Sequence, residues 1–159
     1  MIENDDNLKN DKKQIVSMRL NNADRFAMRS TAVRLFVRES ELYRFAICHL
    51  LSRLDKLHDE SYTGSDLLPL FLEFREELNI HLGLKKHQLF KIFNGKSTNP
   101  DKFVAMVDIE LLLMPHHAVR QRLQQIPEAL DDRQDDTNGW LRHYLSKKYC
   151  LVGEFNCAD

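Results

Sequence analysis

One short stretch constrains what this chain can fold into more than any other. Residues 14–20, QIVSMRL, alternate with a period of two, placing Val16, Met18 and Leu20 on one face and Ile15, Ser17 and Arg19 on the other. That pattern predicts one short β-strand, and no later segment repeats it. A lone strand has unpaired backbone groups on both edges and no sheet to join, so it needs a partner strand. The simplest closed solution is a two-fold dimer in which the strands of two copies pair antiparallel and four helices share one core.

The helices of that arrangement follow at once. Asn21 and Asn22 suit a helix start, and ADRFAMRSTAVRLF then places Met28, Thr31, Ala32 and Leu35 at helical spacing. After a break at Phe36 and Val37, RESELYRFAICHLLSRLDKL puts Leu42, Phe45, Ala46, Leu50, Leu54 and Leu57 on one face of a second helix. HDESYTGS, residues 58–65, reads as a linker. Downstream, LLPLFLEFREELNIHL, KKHQLFKIF, PDKFVAMVDIELLLM, HHAVRQRLQQI and WLRHYLSKKYCL are successive helical pieces parted by Gly83, NGKSTNP, Pro115 and PEALDDRQDDTNG. With 43% apolar and 30% charged residues in 159, two globular modules fit the length.

A net charge of −1 conceals an uneven distribution. Residues 12–57 hold ten basic side chains against four acidic ones, or +6, whereas residues 1–11 carry −3 and residues 58–159 carry −4. A polyanion would be drawn to the first of these segments and repelled by the rest.

The stretch SMRLNNADRFAMRSTAVRLFVRESELYRFAICHLL resembles the ribbon-helix-helix (MetJ/Arc) family of bacterial DNA-binding proteins. The resemblance covers under a third of the chain and rests on the order strand, helix, turn, helix, together with RESELYRFAI, which is similar to the Arg-x-Ser-x-aliphatic opening of that family's second helix. It implies a ribbon in the DNA major groove, with Ile15, Ser17 and Arg19 reading bases: Arg19 suits guanine, Ser17 either donor or acceptor, and Ile15 a thymine methyl. Lys13 is expected to add a phosphate or base contact. Arg38, Glu39 and Ser40 match the positions where the family's second helix grips a phosphate, a role that a helix N-terminus can fill on physical grounds alone. Two positions depart from the pattern: Phe36 stands where glycine is usual in the inter-helix turn, and Asp24 where an apolar residue is usual in the first helix.

The remainder carries no phosphate loop, no nucleophile–base pair and no paired carboxylates of evident purpose, so no enzyme, catalytic residue or cofactor is expected. His116 and His117 are adjacent and diverge on a helix; with His81, His87 and His143 they make a poor metal set. LGLKKHQLFKIFNGKSTNPDKFVAMVDIELLL faintly resembles the later helices of a phage-repressor helix-turn-helix, although the acidic stretch before it (Glu73, Glu76, Glu77) does not suit a neighbour of DNA. Cys48, Cys150 and Cys157 lack metal spacing and make no disulfide framework. No apolar run reaches the length of a membrane span, and the start MIENDDNLKNDKK has no signal-peptide core, which predicts a cytoplasmic chain.

The expected architecture is mainly α: a tail at 1–11, a ribbon-helix-helix module at 12–58 built from one intermolecular β-strand and two helices, a linker at 59–65, and an all-helical effector or oligomerisation domain at 66–159. The expected function is a dimeric, sequence-specific regulator of double-stranded DNA, a repressor by occlusion. The expected partners are DNA and a second copy, with larger assembly and a small-molecule effector left open and no membrane partner. The rival reading is a protein-interaction module on the same dimer, such as an antitoxin or partition-type adaptor.

Overall fold

The computed structural model describes residues 13–151. The expected tail at 1–11, together with Lys12 and Cys157, lies outside the described residues. Among the described residues ten α-helices follow in order: α1 (Asn22–Leu35), α2 (Glu39–Arg53), α3 (Asp55–His58), α4 (Leu68–Glu73), α5 (Arg75–Glu77), α6 (Lys86–Asn94), α7 (Met106–Leu113), α8 (His116–Gln124), α9 (Pro127–Leu130) and α10 (Thr137–Tyr149). Short 3-10 turns stand at Gly64–Leu67 and Pro100–Lys102, and a wider π turn at Leu78–Leu82. None of the described helices is long and apolar enough to cross a membrane.

The expected β-strand is a correction. Among the described residues there is no strand, and residues 13–21 run without regular secondary structure into α1. The ribbon of the expected architecture is therefore absent and the fold is mainly helical. The physical reason lies in what alternation encodes. It sorts side chains to two faces, but the ladder that makes a strand needs a second backbone. None pairs with residues 14–20, and the intended core side chains Val16, Met18 and Leu20 stay 84%, 59% and 38% exposed.

The chain divides into two compact units between Leu50 and Leu51, inside α2. In the first unit, Asn21 caps α1 by accepting from the Asp24 N–H at 2.7 Å and donating from its amide to the Asp24 carboxylate at 2.7 Å. Asp24 is thereby accounted for: it sits in the first turn, where a carboxylate favours the helix dipole. Phe36 ends α1 in the left-handed region, φ 58°, with the Val37 N–H donating to the Ala32 carbonyl at 3.1 Å. Ala32 is the one buried side chain among residues 13–50.

The second unit has a continuous core. Trp140, Phe93, Leu68, Ile109, Leu123 and Leu145 are fully enclosed, and Phe71 meets Phe93 edge to face at 5.0 Å. The apolar pattern over residues 67–82 breaks at Phe74, φ −103° and ψ 21°, into α4, α5 and the π turn. Arg75 then turns inward and donates to the carbonyls of Leu112 (3.1 Å) and Met114 and to Asn138 Oδ1 (3.2 Å), which satisfies the C-terminal end of α7. The Asn94 amide group both donates to the Val104 carbonyl and accepts its N–H at 2.9 Å, closing the loop after α6. Gly64 allows the closest backbone approach: a Cβ there would stand 2.1 Å from the Lys102 carbonyl oxygen.

Candidate nucleic-acid interface

Residues 13–50 carry seven basic side chains (Lys13, Arg19, Arg25, Arg29, Arg34, Arg38, Arg44) and three acidic ones (Asp24, Glu39, Glu41), a charge of +4. Two of the seven are neutralised locally. Arg29 Nε donates to Glu39 at 3.1 Å, and Arg38 donates to Glu41 at 3.3 Å. Among the described residues the other five form no salt bridge.

Ile15, Ser17 and Arg19 lie together with Lys13 on the irregular segment before α1, all exposed, Ile15 almost completely. Since that segment is not a strand, it supplies no rigid face on which the three would be held in register. Arg38, Glu39 and Ser40 do open α2, but the anion position there is taken by the chain itself. Glu41 accepts from the Arg38 backbone N–H at 2.8 Å, and that bond, with the Arg38 guanidinium, holds its carboxyl below the usual range. With Glu39 beside it, the first turn of α2 already carries two carboxylates that favour the helix dipole.

Between α1 and α2 the structure places a feature that local sequence patterns did not isolate. Met18, Leu20, Met28, Tyr43, Ile47 and Leu50 line an apolar groove of about 440 Å³, open to solvent. Its wall on α2 runs through Tyr43, Ala46, Ile47 and Leu50, one residue round from the expected stripe, which leaves Phe45 outside the groove and 65% exposed. The one-residue shift arises because β-branched Ile47 and aromatic Tyr43 extend the apolar surface beyond the leucines used to choose the face.

The helix-turn-helix alternative meets a steric obstacle. α7 would have to enter a groove, yet Ile109, Leu111 and Leu112 are buried in the core. In the same helix Asp108 is fully enclosed, accepting from Tyr149 (2.5 Å), Lys148 (2.7 Å) and Tyr144 (3.3 Å). Of the two carboxylates in the run MVDIELLL, Glu110 stays partly exposed and pairs with Lys86, whereas Asp108 is enclosed, and a buried charge requires partners. The histidines disperse: His116 contacts Glu76 at 2.6 Å and His143 contacts Asp132 at 3.1 Å. Among the described residues no group of three or more His, Cys, Asp or Glu is placed to hold a metal ion.

No protein-family model, no curated protein and no solved structure matches the chain.

Proposed function

We propose that this chain is a cytoplasmic regulator that binds double-stranded DNA through residues 13–50 while packing that unit against a second copy. The observation that carries the reading is the mismatch within residues 13–50: two helices with a surplus of positive charge, an apolar groove, and a single buried side chain. Ordering a residue costs about 1–2 kcal/mol of conformational entropy, which one buried alanine cannot offset. A second copy presenting the same apolar surface supplies the missing burial, and the association brings two basic surfaces together. The doubled charge then favours a phosphate backbone. Within this reading Lys13 and Arg19 reach DNA from an extended arm, with Ser17 and Ile15 beside them, and the regulator acts as a repressor by occupying its site.

A protein partner is the second reading. It is favoured by Phe26, Val33, Phe36 and Phe45, which are exposed and stand outside the groove.

Anisotropy of a labelled mixed-sequence duplex separates the two. The DNA reading expects binding at about 50 mM salt that weakens roughly 10- to 100-fold by about 200 mM, and a smaller salt slope for Arg19→Ala. Absence of salt-dependent binding at low ionic strength would sink it.

A further inference from the structure

Two thioethers face the groove between α1 and α2. Met18 comes from the segment before α1 and Met28 from α1 itself, and with Leu20, Tyr43, Ile47 and Leu50 they line the concavity of about 440 Å³. Among the described residues Met18 is the one exposed methionine, at 59%, and Met28 is half-buried. The methionines of the second unit stand differently: Met106 and Met114 pack, half-buried, against its continuous core. A thioether has no ionisable proton to tune it, so its reactivity toward peroxides follows its access to solvent. Met18 is therefore the first sulfur that a peroxide meets.

Oxidation moves one oxygen atom from a hydroperoxide to sulfur. The S=O bond forms as the O–O bond breaks, sulfur gives up two electrons, and hydrogen peroxide leaves as water. A flexible apolar side chain becomes a polar, chiral one. On the proposed assembly that change falls inside the contact. A sulfoxide pressed against a chiefly apolar lining loses its water without regaining equivalent partners, which opposes burial. In a two-fold dimer each altered side chain enters twice, so the effect of one sulfoxide per chain is doubled. Association in turn covers both sulfurs. Oxidation then acts on the dissociated chain, and a first sulfoxide favours the state in which the second sulfur is open.

We propose that Met18 and Met28 form a peroxide-sensitive modification site, whose conversion to methionine sulfoxide separates two copies of the chain. The proposal rests on the second-copy reading of the groove and adds a chemical input to it. Methionine sulfoxide reductases reverse the step, so the contact is switched rather than destroyed. Cys48 on α2 and Cys150 are exposed as well, and the test separates their oxidation from that of the thioethers.

The full chain is treated with hydrogen peroxide at about 1 µM and about 100 µM protein, a range that spans ordinary dimer dissociation constants. Catalase then removes the peroxide, and dithiothreitol returns disulfides and sulfenic acids to thiols while leaving sulfoxides in place. Peptide mass spectrometry should find Met18 oxidised at least about threefold faster than Met106 or Met114 at the lower concentration, and slowed about threefold at the higher one. Sedimentation equilibrium of the oxidised chain should show a dimer Kd raised at least about tenfold, and sulfoxide reductases of both epimer specificities should restore it. Met18→Leu combined with Met28→Leu conserves volume and apolar character, so that variant should associate within about threefold of the unaltered chain before and after peroxide. Should the double variant be monomeric from the start, recovery of the unaltered chain on reductase treatment decides in its place. Met106 or Met114 oxidising as fast as Met18, or association that survives sulfoxide at both groove positions, overturns this proposal alone. So does equal loss of association in the leucine variant. A chain that is monomeric at about 100 µM before any peroxide refutes the second-copy reading, and this proposal with it.

Discussion

Replacing Lys148 by methionine isolates the energetics of the Asp108 node. Methionine keeps most of the apolar stem of Lys148 and removes the ammonium, which lies over the rings of Tyr144 and Tyr149 at 5.6 Å and meets Asp108 at 2.7 Å. Asp108 itself is fully buried and would keep two phenol donors but no countercharge. Removing one partner of a buried ion pair typically costs about 3–5 kcal/mol. The side chain of Lys148 is 39% exposed, so solvent already screens the pair and can partly replace it, which lowers the expectation to about 2 kcal/mol. Asp108→Asn in the same background removes the stranded charge while retaining an acceptor for Tyr149, and should recover at least about half of the loss. The assay is urea unfolding followed by Trp140 fluorescence, since that indole is fully enclosed and donates to the Ala129 carbonyl at 2.8 Å. A loss under about 0.5 kcal/mol, or a double variant as unstable as the two single losses added, would refute the assignment of Lys148 as the countercharge.

Burial, with the Asp108 carboxylate as acceptor, pushes the Tyr149 phenol well above its ordinary value of 10. A group whose folded pKa is raised contributes stability that is intact below the unfolded value and lost as pH climbs toward the folded one, so the melting temperature should hold up to about pH 10 and fall beyond it. Tyr149→Phe should flatten that alkaline slope and cost about 1–2 kcal/mol at pH 8, because the hydroxyl also accepts the Ala105 N–H at 3.0 Å. Ile47→Glu places a charge in the groove between α1 and α2 and should weaken self-association at least about tenfold in sedimentation equilibrium without altering the Trp140 unfolding midpoint; unchanged association would show that the groove is not the contact. Phe36→Gly relieves a left-handed backbone at a side chain that is 96% exposed, and should raise amide-exchange protection in α1 by about threefold, near 0.7 kcal/mol. Lower protection would mean that a partner covers the phenyl ring.

How much of this was legible in the sequence follows from the range of each interaction. Helix starts are local, and Asn21 and the α1 periodicity mark one through contacts three residues apart. The alternation of residues 14–20 is equally local, but a strand is a property of two backbones, and sequence periodicity does not specify the second. The run over residues 67–82 keeps helical spacing straight through Phe74, because the break there is set by Arg75 reaching carbonyls 37 and 39 residues away. Neither Asp108 nor its partners on α10 were legible, since one of two carboxylates in MVDIELLL, and two tyrosines with a lysine on another helix, acquire their relation only when packed.

The contrast between one enclosed side chain in residues 13–50 and a full core in the rest means that the two units answer to different thermodynamic variables. The second unit folds by a unimolecular equilibrium, indifferent to how much protein is present. On the proposed assembly, the first is governed by mass action. The concentration of its ordered dimer grows with the square of the free chain at low abundance, so halving expression removes about three-quarters of the competent species in the dilute limit. A chain built this way would read its own concentration, with a threshold that shifts by tenfold for each 1.4 kcal/mol of groove contact.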